Sequence, residues 1–212
     1  MQDRPFDKTE HIYTNSAFEE LVKDAIRFFN GTPVHSLELP ERFSGAGVYS
    51  LYYTGGFRFY SKYAQLNRLQ YEYPIYIGKA VPRGWRQART TDVPNGTARE
   101  LYSRLGEHSR NIGAGTGLAI DDFSCRFVIF EGDGSDMIGT IEASLIKLFK
   151  PLWNTVLDGF GNHTPGAGRF NQAKSDWDVI HPGREWADKC MGTPNNESEI
   201  IENIKQHLGN LK

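Results

Sequence analysis

Residues 45–56 read GAGVYSLYYTGG, and residues 74–79 read PIYIGK. Each stretch is a short run of β-branched and aromatic residues bounded by glycine or proline, which is the pattern of a β-strand. Within them lie two tripeptides that each carry a tyrosine, Gly47-Val48-Tyr49 and Tyr76-Ile77-Gly78. Because successive strands usually neighbour each other in a sheet, we expect the two tyrosines on adjacent strands.

Helical and strand-like patterns alternate along the rest of the chain. The run FSCRFVIF at 123–130 predicts a third strand, and apolar side chains at helical spacing predict helices around it. The predicted elements are helix 16–29, strand 48–54, helix 57–70, strand 74–79, helix 97–111, strand 123–130, helix 135–149 and helix 197–208. This order predicts an α/β fold with a small, central, mostly antiparallel three-stranded sheet flanked by helices.

Local residue chemistry also predicts where some elements begin and end. Ser16 with Glu19, and Thr97 with Glu100, have the spacing of a capping box, so a helix start is expected at each pair. Glycine and proline residues mark the segments between elements as turns or loops. The predicted turn or loop segments are 31–47, 80–97 and 159–171.

The composition sets broad limits on the class of protein. The chain has 212 residues and a net charge of −2, but ten Lys/Arg stand against four Asp/Glu between residues 56 and 112. That local excess is either a phosphate-binding face or the solvated surface of helices. Cys125 and Cys190 have no metal-ligand spacing, and no apolar run reaches the length of a membrane span. We therefore expect a soluble, cytoplasmic protein without a membrane partner.

Glu142 is a carboxylate among the inward-facing residues of helix 135–149. A carboxylate in that place is costly unless it is paired or bound to a cation. It either lies at the helix margin, paired to Lys147 or Lys150, or it holds a metal ion. A single carboxylate without His or Cys partners suits a mostly hydrated Mg²⁺ and does not suit zinc.

Arg104 and His108 lie four residues apart and so share one face of helix 97–111. They are either a surface pair or a functional pair, in which the guanidinium binds a phosphoryl oxygen and the imidazole moves a proton. Tyr49 and Tyr76 are either packing residues or two phenols that hold or deprotonate a water molecule. Asn154 is either a turn residue or an amide that fixes a water or a phosphate.

In this order, the parts resemble the GIY-YIG nuclease family, a small α/β fold that hydrolyses phosphodiester bonds. Gly47-Val48-Tyr49 matches the first motif with valine in place of isoleucine, and Tyr76-Ile77-Gly78 matches the second. The helix with the Arg/His pair, the lone glutamate and the asparagine then follow in the order of the family. The residues at 153–154, 159–163 and 165–169 resemble the type II restriction endonuclease branch.

The resemblance implies a single domain over residues 1–212 with a compact nuclease core. The two tyrosines are 27 positions apart, wider than in compact members, so an insertion between the motifs is expected. The implied parts are an N-terminal arm at 1–44, a core at 45–156 with insertions at 55–72 and 80–97, and a C-terminal extension at 157–212.

The resemblance also implies a role for each site residue. Glu142 binds one divalent cation, Mg²⁺ with Mn²⁺ as a substitute, and Arg104 neutralises charge on the phosphorus centre. Tyr49 is the general base or holds the water, and His108 is its relay or the alternative base; the residues leave this choice open. The residues expected to orient the phosphate and water are Tyr76, Lys79 and Asn154. No organic cofactor is expected.

The function implied is that of a type II restriction endonuclease, a homodimer that cuts double-stranded DNA at a palindromic site. A structure-specific, homing or repair nuclease with the same core and a catalytically silent DNA-binding protein are the alternatives. Arginine and asparagine side chains can read guanine and adenine edges, and some of them must instead contact phosphates. The candidate DNA-binding residues are Arg83, Arg86, Arg89, Arg110, Asn162, His163, Arg169 and Asn171.

Overall fold

The computed structural model describes residues 6–39, 41–82, 99–166 and 168–211. These ranges contain a sheet of four antiparallel strands in the order β1-β4-β2-β3. The strands are β1 (Val34–Ser36), β2 (Ala46–Tyr53), β3 (Tyr76–Ala80) and β4 (Phe123–Phe130). The α-helices are α1 (Ser16–Gly31), α2 (Ser61–Leu66), α3 (Glu100–Ala114), α4 (Ile138–Phe149), α5 (Leu152–Thr155), α6 (Asp176–Ile180) and α7 (Glu197–Gly209). No helix of the described ranges is long and apolar enough to cross a membrane.

The three predicted strands are confirmed, but the prediction of a three-stranded sheet is wrong by one strand. β1 lies in the segment 31–47, for which only turns were expected, and it pairs with β4 through Val34 and Arg126. Three residues are too few to show an alternating pattern, and the two turn-forming prolines nearby hide the strand. As expected, β2 and β3 are neighbours, with Tyr49 opposite Gly78.

The glycines of the two tripeptides are explained by close packing. A side chain at Gly47 would overlap the backbone carbonyl of Val128 on the neighbouring strand. A side chain at Gly78 would overlap the phenol group of Tyr49. Both positions therefore need glycine because another group occupies the space that a Cβ atom would fill.

The main hydrophobic core lies on the face of the sheet that carries Tyr49, Leu51 and Tyr53. The side chains packed there include buried Trp153 and Phe160, and they also include residues from α6 and α7. Because apolar side chains pack at 3.6-residue spacing along one face of a helix, Ile200 and Ile204 of α7 enter this core together. The segment 157–212, expected as an extension, thus shares one core with the strands.

A second core lies on the opposite face of the sheet, under α1 and α4. Val48, Ile77 and Val128 project from the strands, and Ile138, Ile141 and Leu145 of α4 pack on them. Of the predicted apolar stripe of α1, Phe29 is buried, whereas Phe18 and Leu21 are about half exposed. α4 is thus fixed against the sheet, and its side chains reach the edge strand β3.

The predicted helix 57–70 is much shorter in the structure. A 3₁₀ turn at Arg58–Tyr60 leads into α2, which ends at Leu66. Buried Asn67 ends the helix, because its side chain bonds the backbone of Tyr73 in both directions. Leu69, expected on the inner face, is 92% exposed. The apolar spacing predicted the element type correctly, but a side-chain-to-backbone bond set its end.

The other helices differ from the predictions mainly at their starts. Asn15, not Ser16, caps α1, because its side chain accepts from the backbone N–H of Ala17. Glu100 is the first residue of α3, so it does not occupy the third position that a capping box with Thr97 requires, and Thr97 lies outside the described residues. α4 begins at Ile138 after a 3₁₀ helix over Gly132–Met137, which includes the predicted turn at Asp133-Gly134.

Candidate active site

The two motif tyrosines and the histidine of α3 meet in the interior. The phenol oxygen of Tyr49 lies 2.5 Å from Nε2 of His108, and both side chains are fully buried. Tyr76 lies beside them, with its ring centroid 5.2 Å from that of the imidazole. The adjacent pairing of β2 and β3 and the packing of α3 on both strands produce this cluster. The two tyrosines therefore lie on adjacent strands as expected, and His108 lies beside them.

Phe160 closes the cluster from the side of the C-terminal segment. Its ring stacks on His108 with the centroids 4.6 Å apart, and it meets the Tyr76 ring edge-on at 4.9 Å. The sequence placed Phe160 only in the loop 159–163, because nothing in the local sequence shows that a loop phenylalanine will reach the α3 face. The imidazole is therefore surrounded by three aromatic rings and shielded from water.

Burial sets the protonation state of the Tyr49–His108 pair. Loss of hydration lowers the pKa of His108 well below its usual range, and the positive charge of Arg104 adds to that effect. Burial also raises the pKa of the Tyr49 phenol well above its usual value, with the nearby Arg104 charge opposing it. At neutral pH the imidazole is neutral and the phenol is protonated, so the short contact joins a proton donor to a proton acceptor.

Arg104 lies at the rim of this cluster and is held by three groups. It donates to Oε2 of Glu107 at 2.7 Å and to the carbonyl oxygen of Gly161 at 2.8 Å. It also lies 2.8 Å from Nε2 of His163, one of the candidate DNA-binding residues. The Arg104 side chain is 17% exposed, so its guanidinium is fixed yet still accessible from one side.

Lys79 and Glu142 form an ion pair at the edge of the sheet. The Nζ atom of Lys79 lies 2.5 Å from Oε2 of Glu142, which joins β3 to α4. Glu142 is thus paired with Lys79. One alternative from the sequence had paired it with Lys147 or Lys150 instead. The negative charge of Glu142 contributes to raising the pKa of Tyr76, after the larger effect of burial, so the carboxylate belongs to the same electrostatic site.

The donor set fits a hydrated hard cation. Glu142 is a carboxylate with 17% of its side chain exposed, and the described residues hold no group of three or more His, Cys, Asp or Glu that could enclose a metal. Mg²⁺ keeps several waters and needs only one or two carboxylates, whereas zinc requires about four protein ligands in a structural site. Glu142, partly exposed and paired with Lys79, is therefore compatible with Mg²⁺ as its one carboxylate ligand.

Asn154 supports the edge strand with its amide group. Its Oδ1 atom accepts from the backbone N–H of Ile77 and its Nδ2 atom donates to the Ile77 carbonyl, both at 2.8 Å. In α5, the backbone N–H of Trp153 also donates to the carbonyl of Ile75. The amide thus pairs with β3 as a neighbouring strand would, a geometry that favours a positioning role over direct contact with a phosphate or a water.

The predicted DNA-binding residues are spread over several places. Arg83, Arg86 and Arg89 lie outside the described residues. Arg110 lines a groove with Leu37 and Tyr102, away from the Arg104 face of α3. The candidates on the loop after Gly159 are all exposed, and they are Asn162, His163, Arg169 and Asn171.

A second buried polar group, which the sequence did not indicate, supports this loop. Arg184 and Asp178 form an ion pair with Nε–Oδ1 at 2.6 Å, and both side chains are almost fully buried. Nearby, His181 lies 2.5 Å from the phenol oxygen of Tyr60. Asp178, His181 and Arg184 lie 100 or more positions after the second tyrosine motif, and their spacing matches no motif. Only the three-dimensional packing therefore brings them to the site.

The fold and the site together define a class of protein. A four-stranded sheet carries the two tyrosine motifs on adjacent strands, and a neighbouring helix adds the arginine and histidine, which is the arrangement of a GIY-YIG nuclease domain. The family model described as the Eco29kI GIY-YIG domain matches residues 41–208. The chain therefore belongs to this GIY-YIG family of type II restriction endonucleases, whose substrate is DNA. No curated protein matches the chain.

Proposed function

We propose that this chain is a metal-dependent type II restriction endonuclease that hydrolyses both strands of double-stranded DNA at a palindromic site. The observation that carries the proposal is the 2.5 Å contact between the Tyr49 phenol and His108, with Arg104 fixed beside it, in a chain of this family. A buried proton donor and acceptor next to an accessible guanidinium can supply proton transfer and charge stabilisation to phosphodiester hydrolysis.

Glu142 would hold the divalent cation, with Mg²⁺ as the expected ion and Mn²⁺ as a substitute. When bound, such an ion supplies positive charge that stabilises the leaving oxygen of the scissile phosphodiester. Lys79 contacts the same carboxylate and so places a second positive charge at this edge of the sheet. Both features support a site in which the phosphate lies between the Lys79–Glu142 pair and Arg104.

The protein's own groups would carry out the proton transfer and charge stabilisation. Tyr49 orients the attacking water and takes its proton as its own phenol proton passes to Nε2 of His108. His108 can accept that proton because burial keeps it neutral at pH 7. Arg104 donates to the non-bridging oxygens of the phosphate, where negative charge builds up in the transition state. Tyr76, 6.2 Å from the Tyr49 ring, orients the same water or phosphate.

Cleavage of both strands would require two copies of the chain, because each copy supplies one such site. Exposed apolar side chains in the N-terminal arm and on α1 support a protein contact in that region. The exposed apolar residues there are Phe6, Ile12, Tyr13, Phe18, Leu21 and Phe28. The candidate base and phosphate contacts are those on the loop after Gly159, together with Arg83, Arg86, Arg89 and Arg110.

The proposal is tested by incubating the purified protein with plasmid DNA in Mg²⁺, in Mn²⁺ and in a chelator. We expect discrete fragments whose ends map by run-off sequencing to one palindrome with symmetric cuts, and no cleavage in the chelator. Cleavage of branched DNA alone would instead favour a structure-specific repair nuclease. A salt-sensitive gel shift without cleavage in any divalent metal would favour a silent DNA-binding protein.

A further inference from the structure

The segment Gly159–His163 touches every member of the proton-transfer cluster except Tyr49. The carbonyl of Gly161 accepts from Arg104, the side chain of His163 contacts Arg104, and Phe160 stacks on His108 and Tyr76. Within these five residues, all of them described, the one backbone hydrogen bond runs from the N–H of Asn162 to the carbonyl oxygen of Gly159. Its conformation must therefore be set by contacts from elsewhere in the molecule.

Arg184 supplies those contacts. Its guanidinium donates to three carbonyl oxygens of the segment, at 2.9 Å for Gly159, 3.2 Å for Phe160 and 3.4 Å for Asn162. The remaining donors form a bidentate pair with Asp178, at 2.6 and 2.7 Å. An arginine side chain has five N–H donors, so each donor has a partner.

The surroundings of Arg184 fix its position. The side chain is 2% exposed, and the guanidinium lies 4.7 Å from the ring centroids of both Trp177 and Trp186. Asp178 is held in turn by the hydroxyl of Ser175, at 2.7 Å. A buried arginine whose carboxylate partner is itself hydrogen-bonded has one conformation, because any other would leave buried polar groups unpaired.

The two arginines bind opposite edges of one segment. Arg184 donates hydrogen bonds to the carbonyl oxygens of Phe160 and Asn162, and Arg104 donates to the carbonyl oxygen of Gly161 between them. We infer that Arg184 is a positioning residue for the nuclease site, which acts through residues 159–163 to hold Arg104 and His108 in their working geometry. The inference rests on the proposed function, because it assigns Arg184 a part in that reaction.

Arg184→Lys is the most informative variant. Lysine keeps a positive charge beside Asp178, but an ammonium group has no planar fork and cannot reach three carbonyls while it pairs with the carboxylate. A small displacement of a catalytic group can slow a reaction by about a hundredfold. We therefore expect the single-turnover rate of DNA cleavage, measured at saturating enzyme, to fall at least about tenfold.

The matched control is Ile204→Ala, which removes a buried side chain of α7 from the same core. Both variants are compared at the same interval below their own Tm. A purely structural role for Arg184 predicts equal rates in the two variants, and that result would overturn the inference. If Arg184→Lys does not fold, Ser175→Ala removes the hydroxyl that donates to the Asp178 carboxylate and accepts from the Asp178 backbone N–H. This variant is expected to show the same pattern to a smaller degree, and a wild-type rate there would overturn the inference.

A second readout does not depend on cleavage. We expect faster hydrogen exchange at the amide of Asn162 and a shifted Arg104 Nε–H signal in NMR spectra of Arg184→Lys, but neither change in Ile204→Ala. Unchanged signals in Arg184→Lys would contradict the inference. Absence of cleavage by the wild-type chain on any DNA would contradict the proposed function, while these signals would still decide whether Arg184 positions Arg104.

Discussion

At the scale of single residues, the described part of the chain contains two Tyr–His pairs with the same 2.5 Å contact but different surroundings. In the Tyr60–His181 pair, Nδ1 of His181 donates to the carbonyl of Thr116, and Tyr60 accepts from Nε1 of Trp153. That pair is fully hydrogen-bonded, and burial lowers the pKa of His181 to about 4. Its tautomer is fixed, so the pair serves the core.

The Tyr49–His108 pair differs at the second ring nitrogen. Nδ1 of His108 is buried and has no hydrogen-bond partner within the described ranges. No hydrogen bond at that atom therefore fixes the tautomer, and the contact with Tyr49 sets it instead: because the phenol is protonated at neutral pH, it donates to Nε2, and the imidazole proton lies on Nδ1. The i, i+4 spacing in the sequence identified His108 as a candidate, but the sequence could not show which histidine–tyrosine contact of the folded chain serves chemistry.

The pH dependence of cleavage separates the two possible bases. With His108 as proton acceptor, the single-turnover rate should stay flat between pH 7 and 9 and fall only below the usual histidine range, because burial lowers the pKa of His108. In His108→Ala, Tyr49 must lose its proton to solvent, and its pKa is raised by burial. The rate of that variant should therefore rise about tenfold per pH unit over the same range.

The control for this experiment is Tyr49→Phe. It should lose about 10²–10⁴-fold in rate at every pH, with no new slope, because the group that holds the water is gone. A flat profile for His108→Ala at the wild-type rate would contradict the role of His108. An acid limb near the ordinary histidine pKa in the wild type would contradict the effect of burial.

At the scale of elements, α5 takes the place of a strand beside β3. The backbone N–H of Trp153 donates a hydrogen bond to the carbonyl of Ile75, just before β3. The side chain of Asn154 hydrogen-bonds to the backbone of Ile77, at the outer edge of β3. An edge strand has unpaired backbone groups, and here a helix turn satisfies them. The strand that carries Tyr76 and Lys79 is thereby held from both sides.

Asn154→Ala tests whether the amide acts on structure or on substrate. Loss of the two bonds should lower the free energy of unfolding by about 1–3 kcal/mol and slow cleavage in parallel, as measured by urea unfolding and by single-turnover kinetics. Thr155→Val is the matched control, because it removes a hydrogen bond to Pro151 within the same turn and leaves β3 untouched. Abolished cleavage in Asn154→Ala with unchanged stability would instead indicate direct contact with the phosphate or the water.

The sequence predicted most elements because their patterns are local. Strand β4 and helix α7 follow their apolar runs closely, and the capping residue of α1 was missed by only one position. β1 was missed because three residues are too few to show a periodic pattern. The end of α2 was missed because it depends on a hydrogen bond from the Tyr73 N–H to the Asn67 side chain, which the apolar spacing does not indicate. Local propensity is overridden where one side chain competes for backbone groups.

At the scale of the whole molecule, the C-terminal third completes the nuclease site. Residues 159–163 reach Arg104 and His108, and Arg184 holds that segment from behind. The catalytic candidates on the strands and α3 could be predicted, because a known order of motifs connects them. Phe160, Asp178 and Arg184 could not, because long-range packing alone decides their contacts, and neither charge nor spacing distinguishes them from surface residues.

The central claim is that hydrolysis depends on a cation held by Glu142 beside the Tyr49–His108 pair. The most direct test measures plasmid cleavage by the wild type and by Glu142→Ala after addition of Mg²⁺, with DNA binding measured in parallel by gel shift. We predict discrete fragments from the wild type and at least a thousandfold slower cleavage by Glu142→Ala, a loss of about 4 kcal/mol in transition-state stabilisation, with DNA binding retained. Cleavage by Glu142→Ala at the wild-type rate would contradict the claim.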